Sequence, residues 1–418
     1  MLVHWIWLAT RPHINDRVKA ELVRHFQDPE NIFFADEDSF RDVEGLTAEG
    51  LEALQDKDLG PARKILQQCQ REDLHILTIQ DAAYPARLKH ISDPPLVFYY
   101  KGKLPDFGSQ PFIGVVGTRK ASPYGLTVAK RMGYQIARCG GAVVSGMAYG
   151  IDGMAMRGAL TAGGDVVGIL GCGADVVYPA SNRALFADMA RYGCLLSEFP
   201  PGTPPYPGNF PKRNRILSGM SCGVLVVEAP EKSGALITAN LAAEQGRDVF
   251  VVPGNIDVPT FVGSNRLLRD GAIMVSHGWD VLCEYADQYP DKVRKDTTPG
   301  FQNAYPDEVV RAARTEKAER KVAQKPSNPG KTAPEKDKKE KIVIDKRDSS
   351  LYSDVNDKPP KLSPDEERIV SALTSGERLV DDVIAETGLS TGKVLATLTL
   401  LEVKGVVRRL PGRHIALK

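Results

Sequence analysis

Apolar positions follow different spacings along the chain, and each change of spacing marks a predicted domain. In residues 1–80 they recur at helical intervals, as in Val18–Phe26, which predicts a small helical domain. A connector over 81–109 follows. Strand-like apolar runs lie just before it, at Leu74–Ile79, and within it, at Leu96–Tyr100. No side chain in this part of the chain suggests a catalytic role.

Residues 110–285 show a second pattern, in which short, almost continuously apolar runs alternate with helical stretches. The strand candidates are Phe112–Val116, Ala142–Ser145, Val166–Leu170, Cys194–Ser197, Gly223–Val227 and Val249–Val252. The helix candidates between them are Leu126–Arg138, Gly153–Thr161, Asn182–Arg191 and Ala235–Gln245. Such alternation is typical of a parallel sheet covered on both faces. It predicts a doubly wound, mostly parallel Rossmann-like α/β sheet, whose ligands bind beyond the carboxyl ends of the strands.

The remaining chain divides into a linker and a small domain. Residues 286–360 form a basic, proline-containing linker, in which the stretch 311–347 has 13 Lys/Arg and 6 Asp/Glu; this composition predicts disorder. Residues 361–418 then carry three helix candidates and a hairpin, which predicts a winged-helix domain. The candidates are Pro364–Ala372, Leu379–Glu386, Thr391–Lys404 and the hairpin Val406–Leu417. With nine basic and eight acidic residues, this domain is equally compatible with DNA contact and with protein contact.

Composition excludes several classes of protein. The 418 residues include 54 Lys/Arg and 53 Asp/Glu, a net charge of +1, so the chain is not uniformly basic. No uncharged run exceeds 13 residues, which is too short to span a bilayer. The apolar stretch Met1–Thr10 lacks the basic lead and cleavage site of a secretory signal. Six dispersed cysteines without C-x-x-C favour the reducing cytoplasm and predict neither a disulfide framework nor a metal site.

Candidate chemistry lies at the strand ends. The first set follows the strand Phe112–Val116 and runs Gly117-Thr118-Arg119-Lys120. Backbone N–H groups at a strand–helix junction bind anions, and the arginine fork suits phosphate oxygens. The same residues are also compatible with a purely structural loop that carries an exposed arginine.

Two further sets reinforce the first. In Phe210–Arg215, three cations lie next to an aromatic ring, a combination that single-strand binders use to hold phosphates and stack bases. The alternative is a basic helix start with Phe210 in the core. In the third set, Ser233 and Gly234 open a helix after a strand, so they form either a second phosphate nest or a helix cap.

No catalytic residue is predicted. The chain has no G-x-x-x-x-G-K-[ST] loop and no complete G-x-G-x-x-G, which disfavours a P-loop NTPase and a dehydrogenase. Cys172 has no evident histidine partner. Four strand-end carboxylates are compatible with acid–base catalysis, but roles in helix capping and in orienting arginines are favoured. These carboxylates are Asp152, Asp175, Glu198 and Glu228.

Seven motifs in one order make a family resemblance specific. The chain resembles the DNA-processing protein A family, also called Smf, over about 75–285. The motifs are G-T-R-x-x-S-x-Y-G (Gly117–Gly125), S-G-x-A-x-G-I-D (Ser145–Asp152), G-C-G-x-D-x-x-Y-P (Gly171–Pro179), S-E-F-P-P-G (Ser197–Gly202), F-P-x-R-N-R-I (Phe210–Ile216), S-G-A-L-I-T-A (Ser233–Ala239) and G-x-N-x-L-L-x-x-G-A (Gly263–Ala272).

The resemblance implies a SAM-like N-terminal domain and a non-enzymatic, cofactor-free cytoplasmic protein of natural transformation. Such proteins bind single-stranded DNA with little sequence preference, protect it and help load the RecA recombinase. They act as homodimers joined through the Rossmann-like domain, and a single-strand-binding protein is a further expected partner. The predicted DNA contacts are Gly117, Thr118, Arg119, Lys120, Phe210, Lys212, Arg213, Asn214, Arg215, Ser233, Gly234 and Ala235.

An enzyme is the alternative. Rossmann-like phosphoribohydrolases bind nucleotide phosphates with similar strand-end loops, but they carry P-G-G-x-G-T-x-x-E. This chain has Pro230-Glu231-Lys232-Ser233-Gly234-Ala235 at that place. The non-enzymatic reading is therefore favoured.

Overall fold

A computed structural model describes most of the chain outside the linker. The described residues are 2–297, 363–373, 376, 378–390, 393–394, 397–398, 401–402, 406–410 and 414–417. Residues 2–297 belong to one compact unit, and the described residues from 363 onward belong to a second. Residues 298–360 of the predicted linker lie outside the described residues. Within the described ranges, no helix is both long enough and apolar enough to cross a bilayer.

The N-terminal part of the first unit is helical, as its periodicity predicts. The apolar first helix was not anticipated; its Ile6, Trp7 and Leu8 are fully buried, so this segment supplies the local core. The second helix starts at Asn15, whose side chain accepts a hydrogen bond from the Val18 N–H at 2.9 Å. The helices are α1 (Leu2–Ala9), α2 (Asp16–Phe26), α3 (Pro29–Phe34), α4 (Ala48–Gln55) and α5 (Gly60–Arg71).

A nine-stranded sheet forms the centre of the first unit, in the order β1-β2-β6-β5-β4-β3-β7-β8-β9. The strands β3 to β9 pair in parallel, whereas β1 and β2 add an antiparallel edge. The connector strands therefore belong to the sheet, which begins before residue 110. The strands are β1 (His75–Thr78), β2 (Val97–Gly102), β3 (Phe112–Val116), β4 (Ala142–Ser145), β5 (Val166–Ile169), β6 (Cys194–Ser197), β7 (Gly223–Val226), β8 (Asp248–Val251) and β9 (Ile273–Met274).

Helices connect these strands, and two separate hydrophobic clusters contain buried strand and helix residues. The predicted strands and connecting helices are present, with ends shifted by at most three residues. Their sequence patterns did not predict β9, α11 or α12, and they indicated α9 only as one alternative for Phe210–Arg215. The helices are α6 (Pro123–Arg138), α7 (Ile151–Thr161), α8 (Arg183–Tyr192), α9 (Asn209–Met220), α10 (Gly234–Glu244), α11 (Val262–Arg269) and α12 (Gly278–Leu282).

The order of the strands creates a switch point. From β3 the chain proceeds through β4, β5 and β6 on one side, and then returns to place β7, β8 and β9 on the other side of β3. The loops that follow β3 and β7 consequently diverge at neighbouring carboxyl ends. In doubly wound sheets this is where a ligand-binding crevice forms.

The second unit has the predicted arrangement of helices and a hairpin. The two helices α13 (Pro364–Ala372) and α14 (Val380–Thr387) accompany a three-stranded antiparallel sheet in the order β10-β12-β11. Its strands are β10 (Arg378–Leu379), β11 (Val407–Leu410) and β12 (His414–Leu417). The third predicted helix, 391–404, lies partly outside the described residues; 393–394, 397–398 and 401–402 are helical. Ile369, Val383 and Leu401 are fully buried in a common core.

Candidate functional site

An open cleft of about 760 Å³ lies at the switch point. The loops after β3 and β7 and the first turns of α9 and α10 line it, and we call it the switch-point cleft. Its lining includes the cations Arg119, Lys120, Arg213 and Lys232, and a single carboxylate, Asp152. The balance of charge in the cleft therefore favours an anionic ligand.

The structure brings most of the predicted contacts together in this cleft. Ten of the twelve line it, and they come from three segments that are far apart in the sequence. The exceptions are Lys212 and Arg215. The ten are Gly117, Thr118, Arg119, Lys120, Phe210, Arg213, Asn214, Ser233, Gly234 and Ala235.

The loop after β3 is held in place by Glu228 at the end of β7. The completely buried Glu228 carboxylate accepts hydrogen bonds from the Ser122 N–H at 3.1 Å and from the Ser122 hydroxyl at 2.8 Å. Its backbone oxygen accepts from the Thr118 N–H at 2.7 Å. These bonds order the loop while the side chains of Arg119 and Lys120 remain exposed to solvent. Glu228 therefore has a structural role.

Phe210 supports Arg119 from below. The Arg119 guanidinium carbon lies over the ring, 5.3 Å from its centroid, in a cation–π contact. Tyr178 packs against the same ring, with centroids 5.4 Å apart. A Cβ atom on Gly171 would lie only 2.8 Å from the Phe210 ring, so this glycine makes room for it. The ring is half-buried at the wall of the cleft rather than enclosed in the core.

Arg213 lies at the base of the cleft and is 4% exposed. Its guanidinium donates to the Ile169 backbone oxygen, and its Nε has no hydrogen-bond partner among the described residues. Asp152, whose carboxylate accepts from the Gly146 N–H at 3.1 Å, attracts it electrostatically. Burial raises the pKa of Asp152 and lowers that of Arg213, and the attraction between them opposes both shifts. Arg213 is thus held in place, and Asp152 offsets part of its positive charge.

The start of α10 forms another wall of the cleft. The Ser233 hydroxyl accepts from the Ala235 N–H at 3.3 Å, so Ser233 is an N-cap, one of its two predicted roles. Gly234 is exposed and lies at the positive end of the helix dipole. The cap and an open helix terminus therefore occur together, and the terminus is available to an anion.

Arg215 does not contribute to the predicted cationic track. Its side chain is buried, and its guanidinium pairs with three carboxylates, those of Asp16, Asp93 and Glu198. Lys212 is exposed but lies outside the lining of the cleft. Arg215 is directed away from the cleft because residues two apart on a helix lie about 200° apart around its axis. Arg213 and Arg215 therefore face opposite sides of α9.

Other strand-end groups also have structural partners. Asp175 accepts from the Gly202 N–H at 2.9 Å, and Glu198 forms a bidentate pair with Arg215. Burial raises the pKa of Cys172 to about 11, which disfavours a thiolate nucleophile. All six cysteines are free. Among the described residues, no group of His, Cys, Asp and Glu side chains is arranged to hold a metal ion.

Several residues of the lining are not among the predicted contacts, and Tyr178, Lys232 and Thr260 are three polar examples. Tyr178 lies within the G-C-G-x-D-x-x-Y-P motif, and Lys232 directly precedes the Ser233 cap, so position offered a signal for both. Thr260 follows β8 and carries no local signal. Its buried hydroxyl has no hydrogen-bond partner within the described part of the chain.

The fold and the cleft define a Rossmann-like protein with a cationic, anion-binding crevice and an additional winged-helix unit. The sequence model of the DNA recombination-mediator protein A family matches residues 75–286, and that of the DprA winged helix domain matches residues 355–413. The chain belongs to this family of DNA-processing proteins. The family resemblance and the predicted fold class are thereby confirmed.

Individual relatives agree with this assignment. The chain is 32% identical to Protein Smf from Synechocystis over 98% of this chain and 97% of that protein. It is 40% identical to the DNA processing protein DprA of Bacillus subtilis over 54% of this chain and 76% of that protein. The crystal structure of DNA processing protein A from Streptococcus pneumoniae superposes with a TM-score of 0.61 at 31% identity, covering 68% of this chain and 98% of that one.

Proposed function

We propose that the chain binds single-stranded DNA with little sequence preference, and that the strand runs through the switch-point cleft. The observation that carries the proposal is the convergence of four cations and the start of α10 on one open cleft beside an aromatic ring. Cations that follow a backbone, next to a ring that stacks bases, are the common elements of sequence-tolerant single-strand binding.

Each part of the cleft has a distinct task in this proposal. Arg119 and Lys232 pair with phosphates at the rim, and the N–H groups that open α10 hold another phosphate oxygen. Phe210 stacks a base at the wall, which requires the Arg119 side chain to move from the ring to a phosphate. Backbone amides and phosphate contacts carry no base information, so sequence preference is expected to be weak.

A gel-shift comparison of single- and double-stranded DNA tests the proposal. With homopolymeric and mixed strands at several salt concentrations, we expect tighter binding to single strands and a logarithm of affinity that falls linearly with the logarithm of salt concentration. Equal affinity for duplexes would contradict the proposal. Release of free base from nucleoside monophosphates would favour the phosphoribohydrolase alternative.

The cellular role is part of the same proposal. A strand enclosed in the cleft is shielded from nucleases, and a protein that holds it can deliver it to the RecA recombinase. We propose that this takes place in the cytoplasm during natural transformation, with a single-strand-binding protein as a further partner and without catalysis or a cofactor.

A homodimer through the Rossmann-like domain completes the proposal. Its support is the open edge of the sheet at β9, where Met274 is 65% exposed and Ile273 is also exposed. Unpaired strand edges with apolar side chains favour pairing with another chain. Met274→Lys is expected to shift the mass measured by light scattering from dimer to monomer, and a mass independent of this substitution would argue for another interface.

Phe210→Ala is expected to lower the affinity for single-stranded DNA about fivefold to a hundredfold, because one stacked base contributes about 1–3 kcal/mol. The salt dependence should change little, since no cation is removed. Fluorescence anisotropy titrations at several salt concentrations measure both quantities. Phe34→Ala is the matched control, as Phe34 is 71% exposed and lies on α3. Unchanged affinity of Phe210→Ala would exclude stacking at this ring.

Removing residues 361–418 is expected to weaken binding to long strands more than to short ones. In a dimer, tethered winged-helix domains that contact DNA raise avidity through effective concentration. Affinities of the full chain and the truncated chain for short and long oligonucleotides measure the effect. An equal affinity at every length would favour a protein-docking role for this domain.

A further inference from the structure

The buried Arg215 connects three segments of the chain to α9, the helix that carries Phe210 and Arg213. Its Nε donates to Asp93 at 2.8 Å, its two terminal nitrogens donate to the Glu198 carboxylate at 3.0 and 2.8 Å, and one of them also donates to Asp16 at 3.0 Å. Glu198 follows β6, Asp93 precedes β2, and Asp16 is the first residue of α2. The Asp16 carboxylate therefore links the N-terminal helical domain directly to α9.

Asp16 is itself held in place. The Lys19 ammonium lies 3.6 Å from its second oxygen and donates to the Ala9 backbone oxygen at 2.7 Å. Lys19 is 7% exposed, and this burial lowers its pKa. The Asp16 carboxylate thus lies between a buried lysine on its own helix and the guanidinium of Arg215. Through these contacts the position of α2 constrains the position of α9.

The opposite face of the same helix belongs to the cleft. Phe210 and Arg213 lie on α9, five and two residues before Arg215, and both line the switch-point cleft. A displacement of α9 at Arg215 therefore moves the aromatic ring and the basal cation together. The contact at Asp16 is well placed to set their positions without meeting the ligand.

Charge argues against direct DNA contact by the N-terminal domain. Residues 1–80 contain 15 Asp/Glu and 9 Lys/Arg, a net charge of −6. A surface with this excess repels a phosphate backbone. A positional role agrees with both the charge and the geometry.

We propose that the N-terminal helical domain acts as a support for α9, with Asp16 and Arg215 as positioning residues that align Phe210 and Arg213 for single-stranded DNA. This inference rests on the proposed function of the cleft. It assigns to the N-terminal domain a task in binding that does not require the domain to touch the ligand.

Asp16→Asn tests the inference, with Glu21→Gln as the matched control. Both substitutions replace a carboxylate by an amide on α2, but the Glu21 carboxylate pairs with the exposed Arg24 of its own helix. We expect Asp16→Asn to weaken binding about three- to tenfold, as is common for coupled residues, while the salt dependence stays that of the wild type. Glu21→Gln should bind like the wild type, and Asp16→Glu, which keeps the charge, should recover part of the loss.

A fall in affinity would be diagnostic, because removing a negative charge by itself favours DNA binding. Unchanged or tighter binding by Asp16→Asn, or a changed salt dependence, would overturn the inference. Hydrogen exchange without DNA separates it from the proposed function. Asp16→Asn should accelerate amide exchange in the first turns of α9, whether or not the wild type binds single strands, and unchanged exchange there would also overturn the support role.

Discussion

Arg119→Ala is expected to weaken single-stranded DNA binding about ten- to a hundredfold, because a hydrogen bond to a charged group contributes about 1.5–3 kcal/mol. The plot of log affinity against log salt should also become flatter by about 0.7, the value for one phosphate contact with a single strand. Titrations at four or more salt concentrations measure both effects. The combined loss of affinity and slope distinguishes a phosphate contact from a stacking residue such as Phe210.

The structure makes this substitution a clean one. Arg119 is exposed, and the loop that carries it is held by Glu228 through Thr118 and Ser122, so truncation of the side chain should leave the loop intact. The matched control is Arg191→Ala. Arg191 also lies over an aromatic ring, that of Tyr192 at 5.1 Å, but on α8 and outside the switch-point cleft.

Arg119→Lys refines the result. It keeps the charge and loses the planar fork, so the salt dependence should be close to that of the wild type while affinity falls only in part. If Arg119→Ala and Arg191→Ala had the same affinity and the same salt slope, Arg119 would not be a phosphate contact.

Arg215→Ala is expected to lower the free energy of unfolding by about 3–5 kcal/mol, the usual cost of removing one partner of a buried ion pair. The three carboxylates around Arg215 would then face one another without their common cation. Urea denaturation at pH 7, followed by circular dichroism, measures the change. Arg24→Ala is the control, since its exposed pair with Glu21 on α2 should contribute less than about 1 kcal/mol.

The decrease in the free energy of unfolding caused by Arg215→Ala should be smaller at pH 5 than at pH 7. Burial raises the pKa of Glu198, and Arg215 opposes this shift. Without Arg215, the pKa of Glu198 in the folded state rises further above its pKa in the unfolded state. Ionisation then destabilises the fold, and protonation at lower pH removes this cost. A loss below about 1 kcal/mol at pH 7 would show that the cluster contributes little to stability.

Local patterns predicted most of the central domain because its strands and helices are specified by nearby residues. The buried run Phe112–Val116 is apolar at every non-glycine position, and its strand has the predicted ends. The short edge strand β9 was not predicted, because Ile273 and Met274 are both exposed and show no alternation of buried and exposed positions. The helix α1 was not assigned because its residues are apolar almost throughout, so no helical period of apolar and polar positions is visible.

The candidate site was predictable to the extent that its residues follow strands. Arg119 and Ser233 come directly after parallel strands, and carboxyl ends of neighbouring strands meet at one edge of a sheet. Their residue types therefore indicated an anion site before any contact was known. Thr260 reaches the same cleft from the loop after β8, and a lone threonine in a loop carries no pattern.

The sequence by itself determined most of the elements, their order along the chain and the residue types that favour an anion at the strand ends, because these depend on local periodicity and on residue type. Only the tertiary structure decided which cations are free to meet that ligand. Arg213 and Arg215 are only two residues apart in a basic run, yet Arg215 pairs with Asp93 and Asp16, which are 122 and 199 residues away in the sequence. Charge neutralisation at that distance depends on how the chain folds back on itself, which no local pattern records.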